Sequence, residues 1–311
     1  MDNHSLFYSK RINCYSQPYI SPLDCDGQVE RRYSYLLGGF SGFFVGFFDH
    51  LFGDTDIQVK NSDMIQKSDA ILLRKQDLRE TSLFLTFYTR GFGKIYGVIK
   101  GIRGQKGLYG ASPQLFSLNE IVFYEKKVKE VFIISHCELK EFYGEIRESL
   151  EKTVYAMYFI ELINSLTPTA EPSAEMFELL EKALMFLKGQ ASSKRIARVF
   201  EIKLLGLLGL MPHLGSCVVC GSSSPKKARF SFKHSGVICD ACSAKERDGF
   251  PVAAGTINFV EHINRSDWQM ISRIKVSQDV GRQVERLLIS FMHYHLHLKP
   301  KSLEFMRKVL V

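Results

Sequence analysis

Several common signatures of catalysis are missing from this 311-residue chain. It contains no G-x-x-x-x-G-K-[ST], no G-x-S-x-G and no H-E-x-x-H. Gly91-Phe92-Gly93-Lys94 is no phosphate loop, since it lacks the spacing and the following Ser or Thr. A disulfide framework is missing too. The seven cysteines are odd in number and uneven in placement, and four of them sit in two tight pairs. A chain of this length buries a core without covalent staples. A membrane-length apolar run is not found where it is best sought, behind Arg31-Arg32. The uncharged stretch Tyr33–Phe48 is 16 residues long and holds Gly38, Gly39, Gly42 and Gly46. A spanning helix needs about 20 residues, glycine lowers helix propensity, and no small-residue cleavage site follows. Acidic residues, finally, are absent from Thr81 to Asn119.

What is present is ordinary globular composition, 45% hydrophobic and 24% charged, with a net charge of +8. The length suggests about two domains. The charge is divided. Residues 1–63 carry five Lys/Arg against eight Asp/Glu, a balance of −3, which leaves +11 on the other 248 residues. An acidic head therefore precedes a basic body, and a basic body points to a polyanion, either nucleic acid or a membrane surface. Residues 1–63 show no hydrophobic period, whereas patterned sequence starts at Met64. The expectation is an atypical N-terminal extension with no stable fold, ahead of a native start at Met64.

Residues 64–143 read as a small β domain. Strand-like runs occur at Ala70–Leu73, Ser82–Thr89, Lys94–Lys100, Glu120–Tyr124 and Val131–Ile134. Arg90-Gly91-Phe92-Gly93 makes a hairpin connection between the second and third. Five short strands in so few residues, before helical periodicity sets in, predict a five-stranded OB-fold barrel. In the second run Leu83, Leu85 and Phe87 share a face. In the third, Ile95, Gly97 and Ile99 take one face and Lys94, Tyr96, Val98 and Lys100 the other, because strand side chains alternate. Cations around an aromatic ring suit a single strand, with phosphates on lysine and a base stacked on tyrosine. The candidate nucleic-acid-binding residues are Arg74, Arg90, Lys94, Tyr96, Lys100, Arg103, Lys106, Lys126 and Lys127. The same alternation also describes a plain solvated sheet face.

Residues 144–311 read as a helical domain. Apolar residues recur at helical spacing over about 145–166, 173–187, 193–208, 257–263, 268–274 and 277–297. An insertion at about 213–245 carries Cys217-Val218-Val219-Cys220, then 18 residues, then Cys239-Asp240-Ala241-Cys242. This spacing is that of a structural zinc site. Each pair turns two sulfurs towards one ion, and the loop brings the second pair round to complete a tetrahedron. An iron–sulfur cluster and redox thiols are the competing readings. Four thiolates leave no position open for catalysis, so a single zinc here is structural. His293, His295 and His297 form an H-x-H-x-H that could bind metal, but no acidic or cysteine ligand is near in sequence. A helix C-terminus also favours histidine through its dipole.

The order of parts carries a resemblance. Ser68-Asp69-Ala70-Ile71-Leu72-Leu73, Glu80-Thr81-Ser82, Gly93 through Gly101, and Ser112-Pro113-Gln114-Leu115-Phe116 are similar to the opening of the RecO family of bacterial DNA repair and recombination mediators. The two cysteine pairs fall where many members carry zinc, and His295-Leu296 through Lys301-Ser302 resembles the family's C-terminal helix, with Pro300 a departure. The resemblance covers residues 65–311. It implies an α+β chain, an OB-fold barrel followed by a helical domain with a four-cysteine zinc insertion. It also implies a cytoplasmic, nucleoid-associated protein that binds single- and double-stranded DNA and anneals complementary strands. Such proteins help load recombinase on gapped DNA coated with single-strand-binding protein, together with RecR and in many bacteria RecF, without nucleotide hydrolysis. Carried over, the basic barrel face maps to Lys94, Lys100 and Arg103, with Arg74, Lys106 and the Lys126–Lys129 turn beside them. An RNA-binding OB-fold zinc protein, and less so a zinc-dependent enzyme, stand as alternatives.

Overall fold

The computed structural model describes residues 64–78, 81–101, 113–125, 131–223, 228–244, 249–268 and 276–309. The first five strands are β1 (Met64–Leu78), β2 (Ser82–Thr89), β3 (Gly93–Ile99), β4 (Leu118–Glu125) and β5 (Val131–Glu141). They close into a barrel in the order β1-β2-β3-β5-β4. Every pairing is antiparallel except β3 with β5. This is the predicted five-stranded barrel. Its interior is filled by the inward set of alternating positions: Ala70 and Leu72, Leu83, Leu85 and Phe87, Ile95 and Ile99, Ile121 and Phe123, Ile134 and Cys137. Burial pushes the Cys137 thiol up to about 12, so it packs as a small hydrophobe.

β1 is much longer than the apolar run Ala70–Leu73 predicts. Its first half pairs with β4 and its second half with β2, and the register shifts between Leu72 and Arg74 where the strand passes from one partner to the other. Only the middle, Ala70–Leu73, faces two packed surfaces and is buried, whereas Met64 and Ile65 at the start of the strand are exposed. Ala70 and Leu72 point into the barrel, while Ile71 and Leu73 join the core shared with the helices.

The helical body comprises α1 (Gly144–Arg147), α2 (Leu150–Leu166), α3 (Ala174–Lys188), α4 (Ser193–Leu207), α6 (Ala254–Arg265), α7 (Gln278–Leu296) and α8 (Lys301–Val309). Ser149, Ser173 and Ser277 cap α2, α3 and α7, each hydroxyl accepting from the backbone N–H three residues on. α2 is the central helix, and its Tyr158 and Phe159 are fully buried against α4. The rings of Phe159 and Phe200 lie 4.5 Å apart. Tyr158 donates to Glu201 Oε1 at 2.7 Å, and Arg198 pairs with the same oxygen at 2.8 Å. Between α4 and α6 lie three short strands, β6 (Ala228–Ser231), β7 (Gly236–Cys239) and β8 (Phe250–Val252), with helix α5 (Asp240–Ser243). They form one antiparallel sheet in the order β7-β6-β8. The predicted helix over 268–274 lies outside the described residues except for Trp268, whose ring stacks on Phe186 at 5.2 Å. The last helical pattern ends where His297 takes a left-handed conformation, and α8 begins after Pro300. Glu161 of α2 accepts the backbone N–H groups of Lys301 and Ser302 and so caps α8.

Barrel and helices meet at the β2–β3 hairpin. Ala170 N–H donates to the Lys94 carbonyl at 2.9 Å, and Lys94 bridges Thr169 in parallel. Gly93 has φ +66°, and a Cβ there would lie 2.1 Å from the Glu171 carbonyl oxygen, so only glycine permits this approach. Arg90 pairs with Glu181 at 3.0 Å and lies over the Phe177 ring at 4.4 Å.

Candidate nucleic-acid interface and metal centre

Outward-facing positions of β1, β2 and β3 line up across the barrel. Arg74 is opposite Thr86, and Thr86 is opposite Tyr96. Arg74 is exposed, and Lys100 is exposed just past the end of β3. Tyr96 is half-buried, and its ring lies parallel to that of Phe84, 5.9 Å between centroids and 16° between planes. Sequence reasoning missed Phe84. The signal was available, since inward Leu83 and Leu85 put Phe84 outward beside Tyr96.

Two predicted residues are engaged elsewhere. Lys94 does share the outward parity of Tyr96, but the expectation that it offers its charge to a strand needs correcting. The helices cover that end of β3, leaving Lys94 4% exposed with Nζ donating to the Asn164 carbonyl at 2.7 Å. Burial pushes its ammonium down from 10.5 to about 8. Arg90 is half-buried among Asp69, Glu178 and Glu181, at 3.9, 3.7 and 3.0 Å, where it ties the hairpin to α3. Arg103, Lys106, Lys126 and Lys127 lie outside the described residues. On the opposite side of the barrel, cations are already paired. Lys140 spans Asp69 and Glu120, and Lys67 pairs with Glu120. Hydrogen bonds from Lys67 and Lys140 hold the Glu120 carboxyl below the usual range.

The four cysteines converge. The sulfurs of Cys217, Cys220, Cys239 and Cys242 all lie within 4.8 Å of one another, and Cys220 and Cys239 are 3.7 Å apart. A tetrahedral ion with bonds of about 2.3 Å to sulfur places its sulfurs about 3.8 Å apart. The donor set therefore fits such an ion. Backbone geometry builds the site. Cys217 and Cys220 flank a turn closed by the Gly221 N–H on the Cys217 carbonyl, and Cys239 ends β7 as Cys242 follows on α5. The turn is tied to the sheet by the Val218 N–H on the Val237 carbonyl. Burial raises the Cys217 thiol, but N–H donors, chiefly that of Cys239, outweigh it and bring the thiol down to about 6. Donors of that kind favour the thiolate a metal needs. The histidine triplet does not converge in the same way. His295 is half-buried against Ser235, while His293 and His297 are exposed. Among the described residues the cysteines are the one group gathered closely enough to hold a metal.

Two family models match the chain. The model described as Recombination protein O N terminal covers residues 64–143, and that described as Recombination protein O C terminal covers residues 147–304. The chain belongs to the RecO family. Among its curated relatives, "DNA repair protein RecO" of Alkaliphilus metalliredigens is 30% identical over 248 residues, 79% of this chain and 100% of the relative. The protein of the same name from Desulforamulus reducens is 32% identical over 246 residues, 79% of this chain and 95% of the relative. That of Caldicellulosiruptor saccharolyticus is 30% identical over 241 residues, 78% of this chain and 97% of the relative. RecO membership is thus carried by both the barrel and the helical half, and the four-cysteine cluster sits inside the C-terminal match. Among the described residues, no helix is long and apolar enough to cross a membrane.

Proposed function

We propose that the chain binds single- and double-stranded DNA, anneals complementary strands, and helps load recombinase on gapped DNA coated with single-strand-binding protein. RecR is its expected partner, with RecF in the same pathway, in the cytoplasm at the nucleoid. The observation that carries this reading is a closed five-stranded barrel, in a RecO-family chain, with Arg74, Tyr96 and Lys100 on its outer face. Strand 2–3 faces of such barrels bind oligonucleotides. Phosphates meet the cations and a base meets Tyr96, with Arg103, Lys106, Lys126 and Lys127 extending the basic path.

Annealing needs no bond to be made or broken in the nucleotide, and the chain has no phosphate loop. It acts in this reading as a binding protein rather than an enzyme. The four cysteines hold one zinc ion, whose contribution is to close the β6–β7 module. Residues 64–143 form the nucleic-acid-binding domain, residues 144–311 the helical domain with its insertion at about 213–245, and residues 1–63 a dispensable extension. Fluorescence-quench annealing of complementary DNA strands without ATP, with and without single-strand-binding protein, tests the whole. Annealing that survives the protein coat is expected. Absence of annealing on bare strands, or preference for RNA over DNA, would overturn it.

A further inference from the structure

Two acid-free segments outside the barrel have no part in the DNA contacts proposed above, and the fold brings them together. No Asp or Glu occurs from Ile202 to Cys239, nor from Arg286 to Leu303. The first segment supplies β6, β7 and the turn between them, and the second supplies the C-terminal half of α7. They meet at Ser235 and His295, 3.2 Å apart, and at Phe230 and Phe291, with ring centroids 6.0 Å apart. On α7, Arg286, Ser290 and Tyr294 follow in steps of four, which sets them along one face.

Rings run along this face. The Arg286 guanidinium lies 4.4 Å over Phe250, and Phe250 is 6.0 Å from Phe232. Phe232 is 5.6 Å from Tyr294, and His295 stands edge-on to Tyr294 at 4.9 Å. Tyr294 is 51% exposed. Lys233, His293, His297 and Lys299, on the same two segments, are exposed as well. A single exposed tyrosine needs no explanation. A braced row of rings between cations, on two segments that carry no carboxylate, is a different case. A cationic surface attracts a polyanion, and exposed rings take the π-faces of bases regardless of sequence.

We propose that the face built by the β6–β7 turn and the C-terminal half of α7 is a second contact for single-stranded nucleic acid. A base stacks on Tyr294, braced by Phe232, and phosphates lie on Lys233, Lys299 and Arg286. The proposal rests on the reading of the chain as a DNA-binding protein, but not on which barrel residues bind. An acidic peptide would satisfy the cations and leave the rings without a role. The surface gives one strand two footholds, on the barrel and on the metal module.

The test uses the full-length, metal-loaded protein, with poly(dT) of about 30 nucleotides and an abasic backbone of the same length as probes. Tyr294→Ala is expected to weaken poly(dT) binding roughly tenfold while leaving abasic binding unchanged, since only poly(dT) has a base to lose from the ring. Tyr294→Phe keeps the ring and restores affinity. Lys233→Ala/Lys299→Ala is expected to flatten the log–log salt slope by roughly 1.4 on either probe. Metal content and circular dichroism identify misfolded variants, and the lysine pair decides the matter if Tyr294→Ala misfolds. If Tyr294→Ala and Lys233→Ala/Lys299→Ala bind like wild type while Arg74→Ala/Lys100→Ala loses affinity, the inference is overturned and the barrel reading stands. Equal weakening of both probes by Tyr294→Ala removes the stacking role and overturns it too. The reverse pattern, with affinity lost only at the Tyr294 face, upholds the inference against the barrel. Wild-type protein that binds neither probe, or binds a polyglutamate peptide at this face instead, overturns the inference.

Discussion

Lys94 shows how far one side chain departs from its pattern. Alternation along β3 sets it beside Tyr96 and Lys100, and no local rule says that helices from 70 residues later will cover it. The cost of that cover is measurable. The Lys94 ammonium is lowered from 10.5 to about 8 by burial. Between those two values the unfolded chain binds more protons than the folded one, so stability rises with pH. The sign is opposite to that of a lysine gaining an ionic partner. Urea unfolding of wild type and Lys94→Met across pH 7 to 11 is therefore expected to differ in slope. Wild type should gain up to about 3 kcal/mol relative to the variant between pH 8 and 10.5. A constant difference across that window would mean that Lys94 is solvated. DNA affinity at neutral pH should be unaffected by the substitution, unlike that at Lys100, since the Lys94 charge is spent on the Asn164 carbonyl.

At the scale of elements, the barrel was legible because its strands are short, alternating and close together, and each inward residue announces itself by hydrophobicity. The cysteine pairs were legible because their spacing is itself the geometry of a tetrahedral site. The three strands around them were not. β6, β7 and β8 have four, four and three residues, too short for any period, and their pairing depends on non-local contacts. Phe230 is fully buried, 6.3 Å from the Phe250 ring, and Gly249 allows the approach. Its φ is +82°, and a Cβ would fall 1.6 Å from the Phe230 carbonyl oxygen. Phe230, Val237, Phe250 and Val252 belong to the same core as Leu287 and Phe291 of α7, so losing the metal should loosen that helix as well. Cys217→Ser is expected to lose the ion and lower the melting temperature by roughly 10 °C, if a third of the apparent 10–16 kcal/mol of a structural zinc site is coupled to folding. Hydrogen exchange should quicken in β6, β7 and α7 and stay slow in β1 to β5. Elemental analysis that finds iron, or a melting temperature indifferent to chelator, would count against structural zinc. The hairpin joint offers a second check. Gly93→Ala must displace the Glu171 backbone or leave φ +66°, and a loss of about 1–3 kcal/mol is expected from urea midpoints.

At the scale of the whole molecule, the distribution of charge bears on how the proposed binding to DNA would begin. Residues 1–63 bring −3 to a body of +11. The family models begin at residue 64, so the head adds charge without adding to the matched barrel. A cationic body accelerates encounter with a polyanion, and an acidic segment on the same chain opposes it over about one Debye length, roughly 10 Å at 0.1 M salt and 30 Å at 0.01 M. Removal of residues 1–63 therefore has two separable consequences. Annealing should persist, because Arg74, Tyr96, Lys100 and the α7 face all remain. Association with single strands should become faster in low salt, and the advantage should vanish as ionic strength rises towards 1 M. Stopped-flow association of the full chain and of residues 64–311, measured over a salt series beside the annealing assay, checks both. A truncated protein that is insoluble or cannot anneal would make the head part of the fold. Equal rates at every salt concentration would mean that its acidic residues do not act on the proposed binding surface.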